Sequence, residues 1–149
     1  MEELPITLHG ARALVIGAGR LGKVLIQQLQ GLGANVSLAA RKFSDLAWAQ
    51  VWNCGAERSD QLSGWLCGYD LIINTVPAPV LGREELGDVK PGCLVIDLAS
   101  KPGGVDFAAA SELGVKVIWA LSLPGKTAPV TAGLAIKTAI YNILTELGV

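Results

Sequence analysis

The residues in this chain with the clearest chemical potential are three glycines and a pair of bases. Gly17, Gly19 and Gly22 are spaced G-x-G-x-x-G, with Ala18, Arg20 and Leu21 between them. In such a run the first glycine allows a tight turn, the second lets the backbone approach a pyrophosphate, and the third lets the following helix pack close to the strand. Free N–H groups and the positive end of the helix dipole then face the anion. About twenty residues further on, where a site that prefers NAD carries an Asp or Glu to bind the adenosine ribose, the chain reads Ala39-Ala40-Arg41-Lys42-Phe43-Ser44. A carboxylate there would repel a 2′-phosphate, whereas the forked guanidinium of Arg41 suits one, with Lys42 adding charge and Ser44 a hydroxyl. The pattern favours NADP(H), with NAD as the alternative. On the plainer reading, Arg41 and Lys42 are solvated loop charges and Ser44 caps a helix that begins at Asp45.

The elements that must position these residues are legible around them. Ala13-Leu14-Val15-Ile16 reads as a buried parallel strand running into the glycines. A helix over about Leu21–Leu32 should lay Leu21, Val24, Leu25, Leu29 and Leu32 on a sheet, and a second strand spans Asn35–Ala39. A second helix is expected over Asp45–Asn53, a minimal third strand over Ala56–Arg58, and a short helix over Gln61–Leu66. Trp48, Trp52 and Trp65 read as packing or edge residues. Tyr69–Thr75 is a buried strand that ends in Asn-Thr-Val-Pro, so Thr75, Val76 and Pro77 sit in a stiff loop at the carboxyl edge, where open α/β sheets bind ligands.

Beyond this loop, Val80–Leu86 reads as a short helix and Cys93–Leu98 as a strand, after which Leu98, Ala99 and Ser100 reach the same edge. Val105–Leu113 is a small-residue helix stopped by Gly114, and Val115–Trp119 a sixth strand. Leu121–Pro129 then reads as a third edge loop, and Val130–Leu147 as a long last helix capped by Thr127 or Thr131. The sum is an α/β fold, a Rossmann-type doubly wound parallel sheet with helices on both faces. Residues 1–9, with the lone His9 as a loop contact, read as a linker or the remnant of an upstream domain, and residues 10–149 as one NAD(P)-binding domain.

Composition narrows the class. Half of the residues (51%) are hydrophobic and 17% are charged, yet no run of about 18 apolar residues occurs to span a bilayer. A net charge of −1 gives no electrostatic case for nucleic acid or an anionic membrane. Cys54, Cys67 and Cys93 lack metal-type spacing and read as small buried hydrophobes, and Met1–His9 has no signal-peptide pattern. No G-x-S-x-G or HExxH motif is present. Lys101 and Lys126 are the candidates for polarising a carbonyl or holding a carboxylate, and a phosphate-binding or surface role suits them better. No catalytic residue is assigned, and a domain of this kind needs a substrate wall from another domain or a second protein chain.

Five stretches resemble a known family. They are V-I-G-A-G-R-L-G at Val15–Gly22, A-A-R-K at Ala39–Lys42, N-T-V-P-A at Asn74–Ala78, I-D-L-A-S-K-P-G-G-V-D-F at Ile96–Phe107, and L-P-G-K-T-A-P-V-T-A-G at Leu123–Gly133. Together they are similar to the carboxyl-terminal NAD(P)-binding domain of the dipicolinate synthase A subunit, from Leu8 almost to the end. The last two are far more specific than the glycine motif. The cofactor domains of alanine dehydrogenase and methylenetetrahydrofolate dehydrogenase share the first stretch but not these two. The resemblance implies oxidation of a dihydrodipicolinate-type precursor to dipicolinate with NAD(P), in the mother-cell cytoplasm of a sporulating bacterium. It further implies an additional amino-terminal domain of similar size and, as partner, a flavoprotein-like B subunit. Self-association through the apolar helices is a further expectation. The competing readings are a non-catalytic NADP-binding or assembly module, and the cofactor domain of a folate or amino-acid dehydrogenase.

Overall fold

The computed structural model describes residues 7–148, so the first six residues of the expected linker lie outside it. Six strands form one sheet: β1 (Arg12–Ile16), β2 (Asn35–Ala40), β3 (Gly55–Arg58), β4 (Leu71–Asn74), β5 (Leu94–Asp97) and β6 (Lys116–Trp119). Their order is β3-β2-β1-β4-β5-β6 and every pairing is parallel. The chain therefore runs outward from β1 in one direction, then returns and runs outward in the other. The turning point lies between β1 and β4, and open α/β sheets bind ligands at the carboxyl ends of the strands there.

Strand alternation divides the core. Ala13 and Val15 point to one face, together with Leu38, Ile73, Ile26 and Leu29 of α1 (Arg20–Gly31) and Ala49 of α2 (Phe43–Val51). Leu14 and Ile16 point to the other, with Ile72, Val95, Leu86 of α3 (Arg83–Gly87), and Ala109 and Ala110 of α4 (Phe107–Leu113). The central strands are buried on both faces, which is why they read as continuous apolar runs rather than alternating ones. The expected doubly wound sheet with helices on both faces is thus what the structure shows.

Several local expectations are corrected. The sheet-facing stripe of α1 is Gly22, Ile26 and Leu29, while Leu21, Val24 and Leu32 are exposed. Close packing at Gly22 rotates the helix so that its i, i+4, i+7 row faces the strands rather than the more hydrophobic row beside it. In place of the helix expected over Gln61–Leu66, residues 63–65 form a turn and Leu66–Gly68 a short 3₁₀ helix. Val80–Leu86 is not one helix, because Leu81 pairs with Val105 as an isolated parallel bridge and α3 begins at Arg83. Asp106 caps α4 by accepting the Ala109 N–H at 2.9 Å, and the helix ends at left-handed Gly114. Of the cysteines, Cys93 is buried, Cys54 half-buried and Cys67 exposed. His9 lies against Gly33, where a Cβ would stand 2.2 Å from its Nδ1, so it makes the expected loop contact.

The chain divides into two compact units, one through Trp119 and a second from Ala120. In the second, Leu123–Thr127 is a short helix, α5, rather than part of a loop, and α6 spans Pro129–Leu147. Neither Thr127 nor Thr131 caps α6. Ala128 holds the cap position, and the Thr127 hydroxyl donates to the Leu123 carbonyl of its own short helix at 2.8 Å. No residue of α6 is buried, although Leu134, Ile136, Ile140, Ile143 and Leu144 lie along it.

Candidate functional site

The turn after β1 is built as its glycines suggested. Gly17 has φ +109°, a region that side chains rarely enter, and a Cβ there would also stand 2.3 Å from the Thr75 hydroxyl oxygen. At Gly22 a Cβ would lie 1.9 Å from the Gly17 carbonyl oxygen, so the helix can approach the turn only without a side chain. Gly19 differs, because a Cβ on it would meet nothing within 4 Å. The bare backbone at Gly19, just ahead of α1, faces open space. Helix α1 has no acidic side chain in its first turn, so no carboxylate there would oppose an anion.

Thr75, at the end of β4, closes the switch point. Its N–H and its hydroxyl both donate to the Ile16 carbonyl, at 2.9 and 2.8 Å, so the β4 loop is tied to the last residue of β1. The hydroxyl thereby serves the scaffold.

Beside the glycine turn lies a cavity of about 660 Å³. Gly17 and Ala18 line it, as do Ala39 and Ala40 at the end of β2 and Val76, Ala78, Pro79 and Val80 after β4. Arg41 and Lys42 also line it. The small side chains Ala39 and Ala40 leave room where an acid would stand in an NAD-preferring site.

The cavity also holds carboxylates that the sequence reading missed: Asp45, Asp60 and Glu85. Two of them are already engaged. Asp60 accepts the Arg58 Nε–H at 2.8 Å, and this pairing, with a smaller contribution from Arg41, holds its carboxyl below the usual range. Arg58 in turn lies 4.8 Å over the Phe43 ring. Glu85 accepts the Gly82 N–H at 3.0 Å, at the start of α3. Arg41 is exposed and lines the same cavity. A signal for Asp60 existed in its place just after β3, on the strand next to β2, yet only the sheet order brings it beside Arg41.

Ser44, expected beside Arg41 and Lys42, does not line the cavity. It falls inside the first turn of α2 and is exposed, while Lys42 takes the cap position without a side-chain bond. The helix starts two residues earlier than its pattern suggested and carries Asp45, not Ser44, to the cavity.

The remaining expected contacts lie along the same edge but outside the cavity. Arg20 and Leu21 are exposed in the first turn of α1 and Pro77 is exposed in the β4 loop. After β5, Leu98 is half-buried, Ala99 is buried and Ser100 is exposed. The Trp119 indole N–H donates to the Ala99 carbonyl at 3.1 Å and pins this loop. Among the described residues no cluster of side chains suits a metal ion, and no helix is long and apolar enough to cross a membrane.

Known proteins share this arrangement. The dipicolinate synthase A subunit of Bacillus subtilis is 36% identical over 147 residues, which cover 99% of this chain and 50% of that protein. Its crystal structure superposes with a TM-score of 0.94 at 35% identity, over 99% of this chain and 49% of that one. The crystal structure of the corresponding protein from Bacillus halodurans gives 0.92 at 35% identity, over 96% and 49%. The chain thus spans about half the length of these relatives. Residues 5–148 match the family described as alanine dehydrogenase/PNT, C-terminal domain. With its parallel sheet, glycine turn and switch-point cavity, the chain belongs to that family and is a nucleotide-binding domain of the dehydrogenase type.

Proposed function

We propose that this chain is the NADP(H)-binding domain of an oxidoreductase of the dipicolinate synthase A type, which oxidises a dihydrodipicolinate-type precursor to dipicolinate. The observation that carries the cofactor reading is the open backbone at Gly19 beside a cavity whose β2 end presents Ala39 and Ala40 followed by Arg41 and Lys42. Gly17–Gly22 would hold the pyrophosphate, Arg41 and Lys42 the 2′-phosphate, and the loops after β4 and β5 the nicotinamide half. The bound cofactor supplies hydride acceptance. The chain's own residues position it: Thr75 fixes the β4 loop to β1, and Ala39 and Ala40 leave room for the ribose.

The substrate reading rests on the relatives, of which this chain spans about half. A second domain equal to the rest of their length is proposed to furnish the substrate wall. The mother-cell cytoplasm is the proposed compartment, and the proposed partner is a flavoprotein-like B subunit. Helix α6 offers the second domain, or a second copy, an apolar surface, since a helix apolar on most sides is stable in water only when covered.

Calorimetric titration with NADPH and NADH, repeated on Arg41→Asp, tests the cofactor half. Tighter binding of NADPH is expected, with the preference lost or reversed in the variant by about tenfold or more, the scale of one lost charge-assisted contact. Equal binding of both by wild type and variant would refute the assignment of Arg41. For the substrate half, the chain joined to the proposed second domain and mixed with the B subunit should turn over the dihydrodipicolinate-type precursor. Cofactor binding without any such turnover would favour the non-catalytic module.

A further inference from the structure

Asn74 and Asp97 are the two buried polar side chains among the described residues, each with no accessible surface. They stand at the carboxyl ends of β4 and β5 and face each other in register. One Asp97 oxygen, Oδ1, accepts the Asn74 Nδ2–H at 2.9 Å and the Ala99 N–H at 3.0 Å. The other, Oδ2, accepts the Gly104 N–H at 2.8 Å. Asn74 completes the unit by donating from Nδ2 to the Val76 carbonyl at 2.9 Å and accepting the Val76 N–H at Oδ1, 3.0 Å away. Two side chains therefore clamp two loops, the one after β4 at Val76 and the one after β5 at Ala99 and Gly104.

The clamp is fitted closely. A Cβ on Gly104 would lie 2.3 Å from Asn74 Nδ2 and 2.6 Å from the Val76 carbonyl oxygen. Buried polar groups of this kind add little stability over apolar residues of similar shape, because their desolvation offsets most of what their bonds return. What they do provide is geometry, since each donor and acceptor is satisfied in one arrangement of the loops.

The location gives that geometry a use. With the pyrophosphate at Gly19 and the adenosine end beyond β2, a dinucleotide crosses the switch point with its other end over β4 and β5. We propose that Asn74 and Asp97 are a positioning pair that holds the loops 74–79 and 98–104 in the form that receives the nicotinamide half of the dinucleotide, an inference that rests on the dinucleotide reading of the cavity. Both side chains are buried beneath the ligand and act through the loop backbone.

The test separates the two halves of the ligand. The 149-residue chain is titrated with NADPH and with adenosine 2′,5′-bisphosphate, which carries the phosphate-bearing adenosine end alone, and thermal unfolding of each variant is followed in parallel. In Asp97→Asn the amide cannot accept all three N–H groups, so at least one loop contact is lost. NADPH affinity is expected to fall about tenfold, the worth of one such contact, toward that of the bisphosphate, whose own affinity stays within about twofold. Asn74→Ser is the milder variant, for use if Asp97→Asn fails to fold, with about a threefold loss confined to NADPH. Parallel loss of both ligands would show a merely structural pair and overturn the proposal, as would unchanged NADPH binding in variants of either residue. Equal wild-type affinity for the two ligands would show that these loops receive nothing, with the same consequence. Failure of the wild type to bind either ligand would instead refute the dinucleotide reading on which the pair's role depends.

Discussion

Gly19→Ala and Gly22→Ala separate the two jobs of the glycine turn, because the structure places a Cβ in open space at one and inside the backbone at the other. At Gly22 the new carbon would lie 1.9 Å from the Gly17 carbonyl oxygen, more than an ångström inside the ~3.3 Å at which carbon and carbonyl oxygen meet. Helix α1 must move off the sheet, which costs about 1–3 kcal/mol of overpacking and lowers the melting temperature by roughly 2–12 °C for a chain of this size. At Gly19, φ is −71° and nothing lies within 4 Å of the new carbon. Reduced freedom of the unfolded chain contributes about 0.4–1 kcal/mol toward stability there, and the poorer helix-cap preference of alanine offsets much of it. The melting temperature should therefore stay within about 2 °C. Dinucleotide binding has the opposite ranking of cause: the Gly19 carbon occupies the space through which a phosphate reaches the N–H groups ahead of α1. Loss of one backbone contact to an anion corresponds to at least about tenfold in affinity. Scanning calorimetry and NADPH titration on both variants check the pair. If Gly19→Ala bound NADPH as the wild type does, the open face at Gly19 would not be where the pyrophosphate lies, and the site would have to be rebuilt.

Two further outcomes follow from titratable groups away from the cavity. Burial pushes the Cys93 thiol up to about 12, against a small opposing pull from Lys90, so at pH 8 only about one molecule in ten thousand carries its thiolate. A thiol reagent at that pH should label exposed Cys67 first, half-buried Cys54 more slowly, and Cys93 only on unfolding; labelling of Cys93 as fast as Cys67 would contradict its burial. Asp70 is held below the usual carboxylate range, first by Lys90 and then by the Arg12 N–H, which reaches Oδ2 at 2.8 Å. A carboxylate whose folded value is depressed stabilises above its unfolded value and loses that contribution as the pH falls through the folded one. Asp70→Asn should accordingly be less stable at pH 7 and show a shallower loss of stability below about pH 4 in denaturant titrations. Identical acid limbs in the two proteins would mean that the pair contributes nothing.

The sequence by itself determined the order of the six strands, the nature of the β1 turn and the basic pair beyond β2. These depend on short-range chemistry: four apolar residues ahead of G-x-G-x-x-G, and the absence of an acid at Ala39 and Ala40. It also placed α6, because nineteen residues with few charges and no internal breaker beyond Gly133 favour a helix on local grounds. Only the tertiary structure decided which row of α1 meets the sheet, since Gly22 sets the approach and so overrides the more apolar row of Leu21, Val24 and Leu32. The same holds for the carboxylates of the cavity. Asp60 and Glu85 are 19 and 44 residues from Arg41 in the chain, and the sheet order together with the start of α3 brings them to one cavity. Asn74 and Asp97 each read as the polar end of a buried strand. Their bond exists because β4 and β5 are neighbours in parallel register, a long-range pairing that no local pattern of residues encodes.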